Sequence, residues 1–147
     1  MTDASLPLAT VQAIRDSCLC LATQRAARLL ARRFDRLFAP LGITNGQFSM
    51  MVALSGQWQP KLRDLADFLA MDHATMTAAI RTLDRKGLVT LAPDPHDARI
   101  RRPRLTEAGR HVLLQAVPIW TQEHRKVEAE FTDPDATRLA GLLRQLG

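Results

Sequence analysis

A chain of 147 residues is long enough for one domain and short for two. Its 46% hydrophobic and 24% charged content fits an ordinary globule, no apolar run is long enough to span a bilayer, and no basic segment leads into an apolar core at the start, so a cytoplasmic protein is expected. A net charge of +5 favours anionic partners, nucleic acid first, and two cysteines are too few for a disulfide framework.

In chain order, residues Met1 to Pro7 carry no pattern, and a long helix is expected from about Leu8. Val11, Ile14, Cys18, Leu21 and Ala22 form its first apolar stripe, and Ala26, Leu30, Phe34, Leu37 and Leu41 continue it with a rotation, which suggests a bend or a change of packing partner near Thr23-Gln24. Arg25, Arg28, Arg32 and Arg36 line the opposite side, more commonly a solvated face than a row of phosphate contacts. Pro40 and Gly42 close the helix, and Thr44-Asn45-Gly46-Gln47 has capping-box form for a compact helix ending around Gly56. Trp58 and Pro60 mark a corner.

From Lys61 the spacing of Leu62, Leu65, Ala66 and Leu69 gives a short helix, broken at Ala70-Met71. Asp72 then caps a second helix that buries Met76, Ala79, Ile80 and Leu83 and stops at Gly87 in a left-handed C-cap. The 3.6-residue period leaves Ala74, Thr77, Ala78, Arg81 and Arg85 outside, with Thr75 at the edge. Small residues allow close approach to a major groove, methyls can meet thymine, and an arginine can fork onto guanine. Leu88–Leu91 and Arg99–Leu105 read as a hairpin across the turn formers Pro93 to Ala98, with Arg99, Arg101, Arg102 and Arg104 making it a cationic wing and Pro103 confining its strand to an edge. Thr106 caps a long helix to about Phe131, with Pro118 expected to bend it and Val112, Ala116, Ile119, Trp120, Val127 and Phe131 on its apolar side. Asp133-Pro134 restarts a last helix with Leu139, Leu142, Leu143 and Leu146 on one face.

Asp72-His73-Ala74-Thr75-Met76-Thr77, Leu83-Asp84-Arg85-Lys86-Gly87-Leu88-Val89, Asp97-Ala98-Arg99 and Leu105-Thr106-Glu107-Ala108-Gly109, with Leu41-Gly42-Ile43-Thr44 and Gln47-Phe48 before them, resemble the MarR family in order and spacing. The similarity covers nearly the whole chain, and Ala78 departs from it where many relatives carry a longer polar or basic residue. The resemblance implies a mainly α fold with a small β-hairpin wing, in which residues 44–106 form a winged helix-turn-helix and residues 8–40 and 107–147 supply dimerisation helices. It implies a homodimer on a double-stranded DNA operator, a repressor released by a small aromatic or phenolic effector, with no catalysis and no cofactor. Thr75, Thr77, Ala78 and Arg81 are then expected near bases. Lys61 and Arg85 are expected on phosphates, Arg99, Arg101 and Arg102 at the adjacent minor groove or its phosphates, and Asp97 as a brace of the wing.

Other chemistries leave weaker traces. Glu107 with His111 and His124 with Glu128 are spaced four apart, which suits solvated helix pairs more often than a metal site. Cys18 and Cys20 point about 200° apart if both lie on one helix, which bars a disulfide without unwinding. Cys20-Leu21-Ala22, with Arg28 eight positions after the cysteine, also resembles the first helix of the family's organic-peroxide sensors. Those sensors set tyrosine hydroxyls near the thiol. This chain has no tyrosine, and Gln24 and Phe34 stand in the corresponding places. Redox sensing is thus the alternative to a small effector, with a metal-responsive regulator a distant third.

Overall fold

The computed structural model describes residues 5–132 and 136–146. In chain order the elements are helices α1 (Leu8–Ser17) and α2 (Leu19–Phe38), a 3₁₀ turn at Ala39–Leu41, helices α3 (Asn45–Ala53), α4 (Leu62–Phe68) and α5 (His73–Arg85), strands β1 (Val89–Pro93) and β2 (Arg101–Leu105), and helices α6 (Glu107–Ala129) and α7 (Ala136–Leu143), with a final 3₁₀ turn at Arg144–Leu146. The fold is the mainly helical winged helix-turn-helix that the sequence pattern implies.

The expected single N-terminal helix is two helices. The break lies at Cys18, whose backbone is extended (φ −72°, ψ 107°), and not near Thr23-Gln24. Ser17 Oγ donates back to the Ala13 carbonyl, and Cys18 Sγ accepts from the Leu21 N–H at 3.4 Å, so a side chain takes over where the backbone ladder stops. No residue of α1 is buried.

The core gathers where α2, α3, α4, α5 and α6 converge. Phe38, Met51, Leu65, Met76, Ile80 and Leu83 are fully buried. Phe38, not the expected Leu37, is the deep anchor of α2, with its ring 4.8 Å from Phe48, which in turn faces Trp120 at 6.5 Å. Thr44 and Gln47 close the expected capping box on α3, and Thr106 Oγ1 accepts from the Gly109 N–H to open α6. α6 runs through Pro118, whose ring is exposed. Trp58 stays at the corner, edge-on to Phe68 at 5.3 Å.

Two ties join separate elements. Arg33 of α2 reaches Glu123 and Glu130 near the end of α6, and Lys126 adds a second cation to Glu123 at 3.0 Å. These partners, Arg33 first, hold the buried Glu123 carboxyl below the usual range. At the other end, Gly109 lets α6 approach the start of the hairpin so closely that a Cβ there would lie 2.0 Å from the Leu88 carbonyl oxygen. The expected Asp133-Pro134 cap and residues 1–4 lie outside the described residues. Among the described residues no helix is long and apolar enough to cross a membrane.

Candidate nucleic-acid interface

Helix α5 is held by local chemistry at both ends. Asp72 accepts from the Thr75 N–H at 2.8 Å and also from the Thr75 hydroxyl, and these bonds keep its carboxyl below the usual range. At the far end Gly87 takes the left-handed conformation (φ 71°) that turns the chain into β1. The turn between α4 and α5 requires Ala70 at φ 51°, a conformation that alanine adopts at a cost.

Between these ends Met76, Ile80 and Leu83 face the core, while Ala74, Thr75, Ala78, Arg81 and Arg85 are exposed. Thr77 is half-buried, and its hydroxyl donates to the His73 carbonyl at 2.8 Å. Of the four residues expected near bases, Thr75 and Thr77 therefore have their hydroxyl protons engaged inside the protein. Ala78 offers a methyl, and the exposed Arg81 offers a guanidinium for a fork. The Arg85 guanidinium sits 3.0 Å from Thr82 Oγ1, near the C-terminal end of α5. Lys61 stands half-buried ahead of α4, its N–H donating to Asp64 at 3.0 Å.

The wing's second strand is shorter than its sequence pattern, while its first runs two residues further and takes in Pro93, expected in the turn. Val89 pairs with Leu105 and Pro93 with Arg101, so Arg99 lies in the loop and not in the strand. A buried carboxylate shapes the turn between the strands. Asp94 is buried; its N–H still donates across the hairpin to the Ile100 carbonyl at 2.8 Å, while its Oδ1 accepts from the backbone N–H of His96 (2.8 Å) and of Asp97 (3.2 Å) and turns the chain beyond it. Its other oxygen takes Arg102. The loop N–H groups first, then the Arg102 guanidinium, hold the Asp94 carboxyl down to about 2.

Arg102 is accordingly turned inward. It also donates to the Gln59 carbonyl between α3 and α4, and Arg104 donates to Gln59 Oε1 at 2.7 Å. These two arginines fasten the wing to the body. Asp97 pairs with a nearby arginine, accepting from the Arg99 N–H and guanidinium at 3.0 and 3.1 Å, which braces the tip of the wing. The Arg99 side chain is 92% exposed even so, and Arg101 is exposed with a contact to the Leu91 carbonyl at 3.3 Å. Pro-Asp-Pro was the one available signal for Asp94, an aspartate placed to accept from the turn that follows it.

Elsewhere, His124 Nδ1 lies 3.3 Å from Glu128, and His111 is paired with Gln115, not with Glu107. Among the described residues no three histidine, cysteine, aspartate or glutamate side chains converge to hold a metal. Cys20 is exposed, with Gln24 Nε2 3.0 Å from its sulfur.

Comparison with known proteins agrees with this geometry. The model of the MarR family matches residues 43–101. The M. tuberculosis transcriptional regulator MosR, solved in complex with DNA, is 35% identical and superposes with a TM-score of 0.76 over 88% of this chain and 95% of that one. BpsR of Bordetella bronchiseptica, solved to explain regulation of its DNA binding by 6-hydroxynicotinic acid, is 25% identical with a TM-score of 0.77 over 88% of this chain and 93% of that one. The transcriptional activatory protein BadR of Rhodopseudomonas palustris is 29% identical over 117 residues, 77% of this chain and 67% of that one.

Proposed function

The chain belongs to the MarR family of winged helix-turn-helix transcriptional regulators and binds DNA, and from that premise we propose that it works as a homodimeric repressor, released from a palindromic operator by a small aromatic or phenolic effector. The observation that carries the reading is the surface of α5: small side chains around an exposed Arg81, on a helix capped by Asp72 and flanked by a wing whose tip presents Arg99 and Arg101. Such a helix enters a major groove with its side chains on base edges, while the wing supplies charge to the neighbouring phosphates or minor groove. Lys61 and Arg85 belong to the phosphate contacts, which fix register without reading sequence.

Support for the dimer lies in the terminal helices. Leu139, Leu142, Leu143 and Leu146 are 42–70% exposed, as are Leu8, Val11 and Ile14 at 45–71%. Apolar faces of this extent are rarely left in water. The effector reading draws on BpsR, a relative whose DNA binding answers to a hydroxylated aromatic acid. Binding to duplexes selected from a random pool tests the core of the proposal. Enriched inverted repeats with half-sites about one helical turn apart are expected, and a reporter then gives the sign of control. An asymmetric single site would overturn the dimer reading.

A second reading is favoured by the break at Cys18. Cys18 is the extended residue that caps α2, its sulfur accepting from the Leu21 N–H, and two positions on the exposed Cys20 has Gln24 Nε2 3.0 Å from its sulfur. In this reading an organic hydroperoxide oxidises one thiol to a sulfenic acid and leaves as the alcohol. The second thiol then displaces water to form the disulfide. Hydroperoxide should release DNA from the wild type and not from Cys20→Ser. Equal release from both, or none from either, removes this reading.

A further inference from the structure

Lys86 ends α5, where a basic residue on a DNA-reading helix is ordinarily counted among the phosphate contacts. Its ammonium is engaged elsewhere. Nζ donates to the Gly42 carbonyl at 2.7 Å and to Gln47 Oε1 at 3.0 Å. Both acceptors sit at the corner where α2 passes through its 3₁₀ turn into α3. That corner is rigid: Gly42 holds a left-handed φ of 70°, and Gln47 is 8% exposed. Gln47 Oε1 also accepts from the Thr44 N–H at 3.1 Å, so both lone-pair positions of this oxygen are filled, one by its own helix cap and the other by Lys86.

We propose that Lys86 is a positioning residue for DNA recognition: it fastens the C-terminal end of α5 to the α2–α3 corner and sets the angle at which Arg81 meets a base, without itself touching DNA. The inference rests on the reading that α5 enters the major groove. Its physical basis is direction. Met76, Ile80 and Leu83 hold α5 to the core, but burial of apolar surface is non-directional and leaves rotation and tilt only coarsely fixed. Hydrogen bonds to a fixed carbonyl and a fixed amide oxygen define a direction at the free end of the helix. A bidentate arginine contact depends on that direction, whereas phosphate contacts through long flexible side chains do not.

The test is Lys86→Met, compared with wild type on the selected operator and on a scrambled duplex across a salt series. All readings are taken well below the melting temperature of the variant. Operator affinity should fall roughly three- to tenfold, the scale of losing one well-placed hydrogen bond, while affinity for the scrambled duplex and the salt slope stay as in wild type. A lysine that met a phosphate would instead, when replaced, weaken both duplexes alike and reduce the slope by about 0.9 for each phosphate left without its cation; that result overturns the proposal. A cycle with Gln47→Leu adds an independent readout. The two replacements should cost less together than the sum of their single effects, and simple additivity overturns the link. If Gln47→Leu does not fold, the salt series on Lys86→Met alone decides. Arg81→Ala is run in parallel. If it weakens the operator complex and Lys86→Met does not, only the positioning role fails, whereas no effect from either means that α5 is not the reading helix.

Discussion

Gly109→Ala is the substitution for which two physical rules give opposite signs. Position 109 lies in the first turn of α6, and in a helix alanine is favoured over glycine by about 1 kcal/mol. On propensity alone the variant should be more stable. The structure says otherwise, because the added Cβ would sit 2.0 Å from the Leu88 carbonyl oxygen, 3.0 Å from its carbon and 3.2 Å from Leu105 Cδ2. The first obstacle is backbone, so no rotamer change relieves it. α6 and the start of β1 must separate by more than about 1 Å, since non-bonded heavy atoms rest at roughly 3.5 Å. Overpacking of this kind costs about 1–3 kcal/mol. The same shift loosens the hydrogen bond from the Thr106 N–H to the Leu88 carbonyl, now 3.1 Å, which contributes about 1 kcal/mol more. Net destabilisation of about 1–3 kcal/mol follows after subtracting the helix gain. Urea unfolding of both proteins followed by circular dichroism measures it, with the midpoint expected to fall at an unchanged slope. A variant as stable as wild type, or more so, would mean that α6 does not approach the hairpin this closely.

Arg81→Ala should cost about 1–3 kcal/mol at the operator and relax preference at one base pair per half-site; wild-type affinity would show that the groove-facing surface is misassigned. Arg99→Ala should weaken operator and unrelated duplex evenly, and loss of specific binding alone would show the wing reading sequence. Truncation after Pro134, which removes the leucine face of α7, should abolish the dimer, and a stable dimer of the shortened chain by sedimentation would refute this. For Asp94 the folded carboxyl titrates at about 2, below its ordinary value of 3.8, so its contribution to stability is present above about pH 4 and is lost as pH falls through 2. Thermal melts of Asp94→Asn should lie below wild type at neutral pH and converge with it toward pH 2; a constant offset at every pH would contradict the assignment.

The helix-turn-helix was legible because its determinants are local. Asp72 caps α5 from three residues before its N–H donor, and Thr44 and Thr106 do the same for α3 and α6. Gly87 needs only its own φ. What stayed hidden depends on distant partners. The sequence shows four arginines in the wing, but nothing in it says that Arg102 meets the Gln59 carbonyl 43 positions away or turns toward a buried Asp94. Lys86 was hidden in the same way, since its partners precede it by 44 and 39 positions. The break at Cys18 escaped notice for a different reason. The stripe Val11, Ile14, Cys18, Leu21 continues across it, and periodicity cannot register a helix that is exposed on every side and free to end. Leu37 in place of Phe38 was an error of one position, a rotation of about 100°.

Formal charge counts cations without asking which are already paired, and the salt dependence of binding can separate the two. Releasing a counterion requires a cation that meets a phosphate, so an arginine bound to an internal carboxylate or carbonyl contributes little to the slope. In each protomer Lys61, Arg85, Arg99 and Arg101 are the proposed phosphate contacts, while Arg102 and Arg104 are held by Asp94 and Gln59. With Arg81 placed on a base, four phosphate contacts in each of two protomers give a slope of log affinity against log salt of about −7. Counting Arg102 and Arg104 as well gives about −11. The Asp97 carboxylate beside Arg99, at 3.1 Å, and the Leu91 carbonyl beside Arg101, at 3.3 Å, move the expected value further toward zero. A slope near −7 or shallower supports a wing anchored from within. A slope near −11 would show that the two arginines leave Asp94 and Gln59 when DNA arrives, so that the wing's anchor is broken in the bound state and its tip is set by the duplex.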